Sequence, residues 1–285
     1  MVELFLLTLH AFLVGSLLLG LHRKVMAKLQ LRPGPPIIQH LIHTFKFYFK
    51  EVTFPITAAQ PLYIFVAWLD IAIWLSALII SQVLKGSLLI IMGIYVLQKI
   101  VEHGCGLSSG SPYGKMGGVR SVFSAAAEVP LFAVVATIYI LTNSLNIGDI
   151  INYQLAHGYL LFKLPLCALA FFILLISKSP YSPFGIVKGK DIVSGYLTEH
   201  FGLLYSMIMI ADSIAYYVLL WLFIAIFLGP IALSYPLTLL VMVVITIILA
   251  IINSLTPLLA PHHSVMLQMT LAALVLLDLL HRILW

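Results

Sequence analysis

Long, uninterrupted apolar runs recur along this chain, at about residues 2–21, 60–84, 86–102, 121–144, 158–177, 200–229, 232–256 and 264–284. A helix needs roughly 20 apolar residues to cross the hydrocarbon core of a bilayer, and only the third run is short against that length. A transmembrane barrel strand would alternate apolar and polar residues over about ten positions, and these runs do not alternate. Within lipid each span must satisfy its own backbone hydrogen bonds, which a helix does. The composition agrees: 62% of residues are hydrophobic and 9% charged, against about 45–50% and about 25% in a soluble domain. The sequence predicts an all-α polytopic membrane protein of about eight transmembrane helices. No linker or shift in composition divides it, so residues 1–285 read as a single integral membrane domain. The first run has no basic stretch before it and no small-residue cleavage site after it. It is followed by His22, Arg23 and Lys24, and reads as a span rather than a signal peptide.

Lysine and arginine orient the spans, because cytoplasmic loops carry the excess of them. One set of loops receives twelve: Arg23, Lys24, Lys28, Arg32, Lys46, Lys50, Lys99, Lys115, Arg120, Lys178, Lys188 and Lys190. The other side receives three: Lys85, Lys163 and Arg282. The basic loops are therefore expected in the cytoplasm and both termini outside. The net charge of +5 reads as a topology signal and not as a nucleic-acid footprint. These cations lie next to the membrane, where anionic headgroups satisfy them.

Three segments on the basic side exceed simple turns. Leu31-Arg32-Pro33-Gly34-Pro35-Pro36 is stiff and extended. After it, Ile38, Leu41, Ile42, Phe45, Tyr48 and Phe49 recur at helical spacing, while Gln39, His40, His43, Lys46 and Lys50 fall largely on other faces. This is an amphipathic cytoplasmic helix in the membrane interface, either simply surface-bound or a platform for a soluble partner. The second segment, Gly106 to Arg120, reads as a glycine- and serine-rich loop, and the third runs from Pro183 to Gly202. Neither has a phosphate-binding pattern, and no His/Cys/Asp cluster has zinc spacing. His262-His263 is a lone pair read as unliganded. Cys105 and Cys167 read as two small buried hydrophobes. Two cysteines cannot hold an iron–sulfur cluster, which takes about four thiolates.

Acids inside the runs carry the most information. Asp70, Glu128, Asp212 and Asp278 fall within predicted spans and Glu102 near a span end. A charge at mid-bilayer costs at least ~2.5–3.5 kcal/mol, so such residues face a polar interior and commonly carry function. Asp278 lies four residues from Arg282 and three from His281, the spacing of a local ion pair. Asp70 is open to a structural hydrogen bond with a neighbouring helix. Glu128 precedes Pro130, which kinks a helix and frees a carbonyl, and suits a proton relay. Asp212 lies in the small-residue patch Ala211-Asp212-Ser213, where helices pack closely.

Four segments together resemble complex I subunit 1 and its counterparts in formate hydrogenlyase and the energy-converting membrane-bound hydrogenases. Arg32-Pro33-Gly34-Pro35, with Gln39 and Lys46, resembles the family's Arg-x-Gly-Pro start and amphipathic helix. Gly106-Leu107-Ser108-Ser109-Gly110-Ser111-Pro112, Arg120 and Glu128-Val129-Pro130 resemble the hydrogenase-type Gly-Leu-Asp-Thr-Gly-Ser-Pro, Arg and Glu-Pro pattern. Pro183-Phe184 resembles the Pro-Phe-Asp loop, and Asp191 to Gly202 its closing stretch. The resemblance implies that Arg120, Glu128 and Glu199 line a polar cavity under a peripheral arm. It implies that Asp212 is the acid of the sixth span and Asp191 the last acid of the loop. With these, Asp70 and Glu102 complete the expected ion path; Arg32, Gln39, Lys46, Pro183 and Phe184 are the expected docking residues. Gly185 replaces the loop aspartate, Ser108 replaces another acid, His43 stands where the hydrogenase-type helix has an aspartate, and Lys188 and Lys190 stand where acids are usual. That pattern fits a hydrogenase-like or sulfur-reducing relative that takes electrons from ferredoxin and needs no quinone.

The resemblance thus implies a non-redox subunit of an oxidoreductase complex. It binds no cofactor itself, and iron–sulfur clusters, with or without a nickel–iron centre, sit on peripheral hydrogenase-like subunits. Antiporter-like membrane subunits are the other partners, and protons or sodium the coupled ion. A stand-alone secondary transporter and a purely structural anchor remain as alternatives. An intramembrane prenyltransferase is excluded, because its paired aspartate-rich motifs need acids close in sequence and none here lie within six residues of each other.

Overall fold

A computed structural model describes residues 2–184 and 199–284. In chain order the α-helices are α1 (Val2–Leu29), α2 (Gln39–Tyr48), α3 (Gln60–Leu78), α4 (Leu88–Ser108), α5 (Pro112–Ser124), α6 (Val129–Thr142), α7 (Ile147–His157), α8 (Leu160–Lys163), α9 (Pro165–Lys178), α10 (Leu203–Phe227), α11 (Gly229–Ala232), α12 (Tyr235–Leu255) and α13 (Pro261–Leu284). A π-helical turn, Ile79–Val83, prolongs α3, and a 3₁₀ turn, Ala125–Glu128, leads into α6. Six of these helices (α1, α3 with its π turn, α4, α10, α12 and α13) are long and apolar enough to cross a membrane, and α6 and α9 are shorter apolar helices. Together they account for the eight apolar runs.

Helix α10 is the hub, the most deeply buried of the six membrane-length helices, while α13 is the least buried. It packs on α1, α3 and α2. Close approach to α1 depends on Gly15, where an added Cβ would lie 2.0 Å from the Ser213 carbonyl oxygen. Small residues let helix backbones meet in this way inside a membrane. Ser213 then joins three helices: Ser16 Oγ donates to its Oγ at 3.1 Å, and His40 Nε2 of α2 lies 3.1 Å from the same atom.

Three parts of the architecture differ from the sequence reading. The stretch Gly106 to Arg120 is not a loop: α4 runs on to Ser108, and Pro112 to Ser124 is helical. Its glycines serve helix contact. A Cβ at Gly106 would meet the Gly114 oxygen at 2.5 Å and the Gly118 nitrogen at 2.6 Å. Next, the run at 121–144 is broken, because the 3₁₀ turn intervenes and Pro130 sits in the first turn of α6. Proline lacks an N–H and fits only the opening of a helix. Non-helical backbone at membrane depth is tolerated where protein or a polar cavity surrounds it, and Glu128 and Pro130 are both buried. Finally, the segment 147–157, which falls between the fourth and fifth apolar runs, forms α7.

The two longer faces of α2 are distributed as an interfacial helix requires. Ile42, Phe45, Tyr48 and Phe49 are exposed, and such a row of apolar side chains belongs against lipid. His40, His43, Thr44 and Phe47 turn toward the bundle, with Phe47 edge-on to Tyr205 of α10 at 4.7 Å between centroids.

At the other end of the bundle, Gln154 of α7 ties four elements. Its amide nitrogen donates to the carbonyls of Ala225 (3.1 Å) and Ile226 (3.0 Å), and its oxygen accepts from Gly229 N (2.9 Å) and Leu160 N (3.4 Å). Arg282 bonds Asp278 at 2.8 Å, as its i,i+4 spacing predicts, and reaches the Lys163 carbonyl at 2.9 Å. Gln154→Leu would leave these buried backbone groups unsatisfied at about 1–3 kcal/mol each. The expected outcome is a thermal midpoint lowered by several degrees in detergent, read by tryptophan fluorescence. An unchanged midpoint would contradict this role for Gln154.

Candidate functional site

A cavity of about 700 Å³ enters the bundle from the end that carries the basic loops. Arg23, His40, Phe47, Phe184, Phe201 and Tyr205 line it toward that end. Deeper in, its lining includes Trp74 of α3, Gln98, Lys99 and Glu102 of α4, Lys178 of α9, Asp212 of α10 and Gln268 of α13.

The geometry follows from helical spacing. Gln98 and Glu102 are four residues apart, and Lys99 and Glu102 three apart, so all three share one face of α4. Lys99 Nζ lies 2.8 Å from Glu102 Oε2, and Lys178 Nζ, from the last residue of α9, lies 2.9 Å from Glu102 Oε1. The three side chains are only 11%, 15% and 10% exposed for Lys99, Lys178 and Glu102. Lys178 also stands over the Tyr95 ring, 4.9 Å from its centroid. Glu128 approaches from the start of α6, its Oε1 3.9 Å from Lys99 Nζ. Asp70 of α3 is buried, and Gln98, Asp212 and Glu102 are all near enough to act on its charge.

An isolated ion in this setting would be far too costly, so each must be paired. Glu102, with a cation on each oxygen, is the centre of the arrangement. Other buried polar atoms nearby find no protein partner: one oxygen each of Asp70, Gln98 and Glu128, the Ser264 hydroxyl, and both ends of the Gln268 amide. Orphaned polar groups around a roomy polar cavity are the kind that ordered water satisfies. At the membrane surface, His43 is held below the usual histidine range, first by burial and then by Lys46, Arg23 and Lys50.

Of the expected ion-path residues, the structure gathers Asp70, Glu102, Glu128 and Asp212 into this region. Arg120 is half-buried on α5 and is not among the residues that line the cavity. Glu199 lies next to cavity-lining His200, and its carbonyl accepts a hydrogen bond from Tyr63. Asp191 lies outside the described residues. Of the expected docking residues, Arg32 and Lys46 are exposed and Gln39 is half-buried at the start of α2. Pro183 and Phe184 are buried within this chain: Phe184 is 7% exposed, and the Pro183 carbonyl accepts from Leu259 N at 2.9 Å. A correction concerns Lys99 and Lys178. Counted as loop charges, they are instead ion-paired inside the bundle. The signal was there: Lys99 lies within the third apolar run, three residues before Glu102. Cys105 and Cys167 are buried free thiols. Among the described residues no group of three or more His, Cys, Asp or Glu side chains is placed to hold a metal.

Comparison with known proteins adds lineage to this geometry. Residues 2–283 match the family model described as NADH dehydrogenase. A protein of Methanocaldococcus jannaschii, provisionally named an NADH-ubiquinone oxidoreductase, is 76% identical over 278 residues, covering 97% of this chain and 94% of that one. NADH-ubiquinone oxidoreductase chain 1 of Paracentrotus lividus is 30% identical over 223 residues, covering 73% and 68%. An NADH-quinone oxidoreductase subunit of Rhodospirillum centenum is 27% identical over 218 residues, covering 71% and 63%. A chain from the solved membrane-bound sulfane sulfur reductase, an archaeal respiratory membrane complex, shares the fold with a TM-score of 0.81. It is 24% identical, covering 96% of this chain and 97% of that one.

Because Glu102 separates two buried lysines, Glu102→Leu takes the carboxylate from Lys178 and the nearer of two from Lys99, and is expected to destabilise the protein by about 3–5 kcal/mol. Replacing Lys99 and Lys178 with methionine in the same chain is expected to recover most of that loss. Denaturation midpoints in detergent for the single and triple variants check both, and equal midpoints for the single variant and the parent would contradict the ion-pair account.

Proposed function

We propose, from the premise that this chain belongs to the NADH dehydrogenase family that includes complex I subunit 1, that it is the membrane subunit on which a peripheral iron–sulfur arm is seated. On this reading it joins that arm to antiporter-like membrane subunits and couples electron transfer to the movement of protons or sodium. The observation that carries the reading is the Lys99–Glu102–Lys178 cluster with Asp70, Glu128 and Asp212 around it, at the head of a cavity that opens at one end of the bundle. Buried carboxylates and ammoniums in a hydrated recess are the groups from which ion paths are made. On this reading the residues for docking are Arg32, Gln39 and Lys46, and Arg120 and Glu199 belong to the path from that surface inward.

The basic loops are placed in the cytoplasm and both termini outside. Without Lys99 and Lys178 the loop charges still divide ten against three. The electron donor is a ferredoxin-type carrier and the terminal acceptor belongs to a partner, hydrogenase-like or sulfur-reducing. Gly185, Lys188 and Lys190, in a loop where acids are usual in the family, support an acceptor other than quinone. A structural anchor is the second reading, supported by the cations that occupy both oxygens of Glu102.

The test is purification from native membranes in mild detergent, with mass spectrometry and iron and nickel analysis of what accompanies the chain. Iron-bearing partners are expected. The chain running alone without iron would contradict the subunit reading and favour a stand-alone transporter. In the reconstituted complex, Glu128→Gln and Asp212→Asn are each expected to lower ion movement per electron by roughly tenfold with assembly intact. Unchanged ion movement would favour the anchor reading.

A further inference from the structure

Lys99 stands between two carboxylates of unequal status. Its Nζ is in contact with Glu102 Oε2 at 2.8 Å and only within reach of Glu128 Oε1 at 3.9 Å. Glu102 has a second cation, Lys178, on its other oxygen at 2.9 Å. Glu128 Oε1 is buried and accepts no hydrogen bond.

An ammonium–carboxylate hydrogen bond closes at about 2.7–2.9 Å, so about 1 Å of travel at Nζ exchanges one partner for the other. A lysine stem has the rotatable bonds for that movement. The unusual feature is that neither arrangement strands an ion. With Lys99 on Glu102, Glu128 keeps a cation close by. With Lys99 on Glu128, the orphaned oxygen gains its hydrogen bond and Lys178 still neutralises Glu102. A lone Lys–Glu pair could not do this, because breaking it leaves both charges buried and uncompensated. The backbone gives the second position its own handle. Glu128 ends the 3₁₀ turn between α5 and α6 rather than sitting within a continuous helix. Its carboxylate therefore follows that junction, while Glu102 follows α4.

We infer that Lys99 is a two-position cation that trades Glu102 for Glu128, and that this trade links α4 to the α5–α6 junction during ion coupling. The role in coupling rests on the function proposed above; the exchange of partners rests on geometry alone. The neighbouring charges fit the exchange. Lys178 stays with Glu102 and over Tyr95 throughout. Asp70 lies buried close by, near enough to Gln98, Asp212 and Glu102 to feel each of them.

Two variants of the intact complex test it. In Glu102→Gln the first station loses its charge, and a cryo-electron microscopy map is expected to show Lys99 Nζ moved to about 3 Å from the Glu128 carboxylate. Lys99 remaining on residue 102, with Glu128 unapproached, would overturn the exchange. Lys99→Arg preserves the charge and suits the fold, but its planar fork bridges both carboxylates at once. It is expected to lower ions moved per electron by roughly tenfold while electron transfer persists. A merely structural pair would be served by arginine, so an unchanged ion yield would overturn the role in coupling. If the unaltered complex moves no ions at all, it is the functional reading that fails, and the Glu102→Gln map still decides the exchange.

Discussion

Burying charge beside lipid is the constraint on which the rest of this structure turns. Glu102 is acceptable there because Lys99 and Lys178 each take one of its oxygens. Several features of the fold are what that arrangement demands. α9 must end where it does, so that its last residue reaches α4. α4 must carry Gln98, Lys99 and Glu102 on one face. The fourth apolar run must break, because a continuous helix would not leave Glu128 at a helix start beside Lys99. The unpartnered polar atoms of Gln268, Ser264 and Asp70 suit a cavity that admits water.

The mouth of the cavity follows from packing on α10. Gly15 admits the α10 backbone against α1, and Ser213 joins Ser16 and His40 at that crossing. α2 is thereby fixed with its histidines inward and its large apolar side chains outward. A surface helix that seats itself in lipid by one face lines, with His40 and Phe47 of the other, the cavity that leads to the ion cluster. His43, kept neutral by burial and nearby cations, fits an inward face that is polar without adding charge.

Much of this was legible in the residues, and the failures have physical causes. Eight apolar runs appear as eight apolar helices because lipid leaves the backbone no other economical solution. The Asp278–Arg282 pair and the break at Pro130 follow from local spacing and a missing N–H. The glycines of 106–118 misled, since a residue that disfavours helices in isolation is also the one that lets two helices touch. Lys99 and Lys178 misled for a related reason. A lysine at the edge of an apolar run can belong to the loop or to the interior, and only the position of Glu102 across helices decides which. Pro183 and Phe184, carried over as docking residues from a loop motif, are buried in this chain, and Phe184 lines the cavity. No pattern along the chain marks Gln154 or Gln268, whose importance lies in what other helices bring to them.

The recess lined by Glu102, Ser177 and Lys178 reaches the ion cluster from the end of the bundle that carries the basic loops. Cysteine accessibility tests it most directly. Ser177 lines the cavity one residue before Lys178, and Leu276 of α13 faces outward from the bundle. In a chain whose two native cysteines are replaced, Ser177→Cys is predicted to react with a charged, membrane-impermeant thiol reagent added from the side of the basic loops, and Leu276→Cys to resist it from either side. Ser177→Cys that stays unreactive from both sides, or reacts only from the opposite one, would contradict the account.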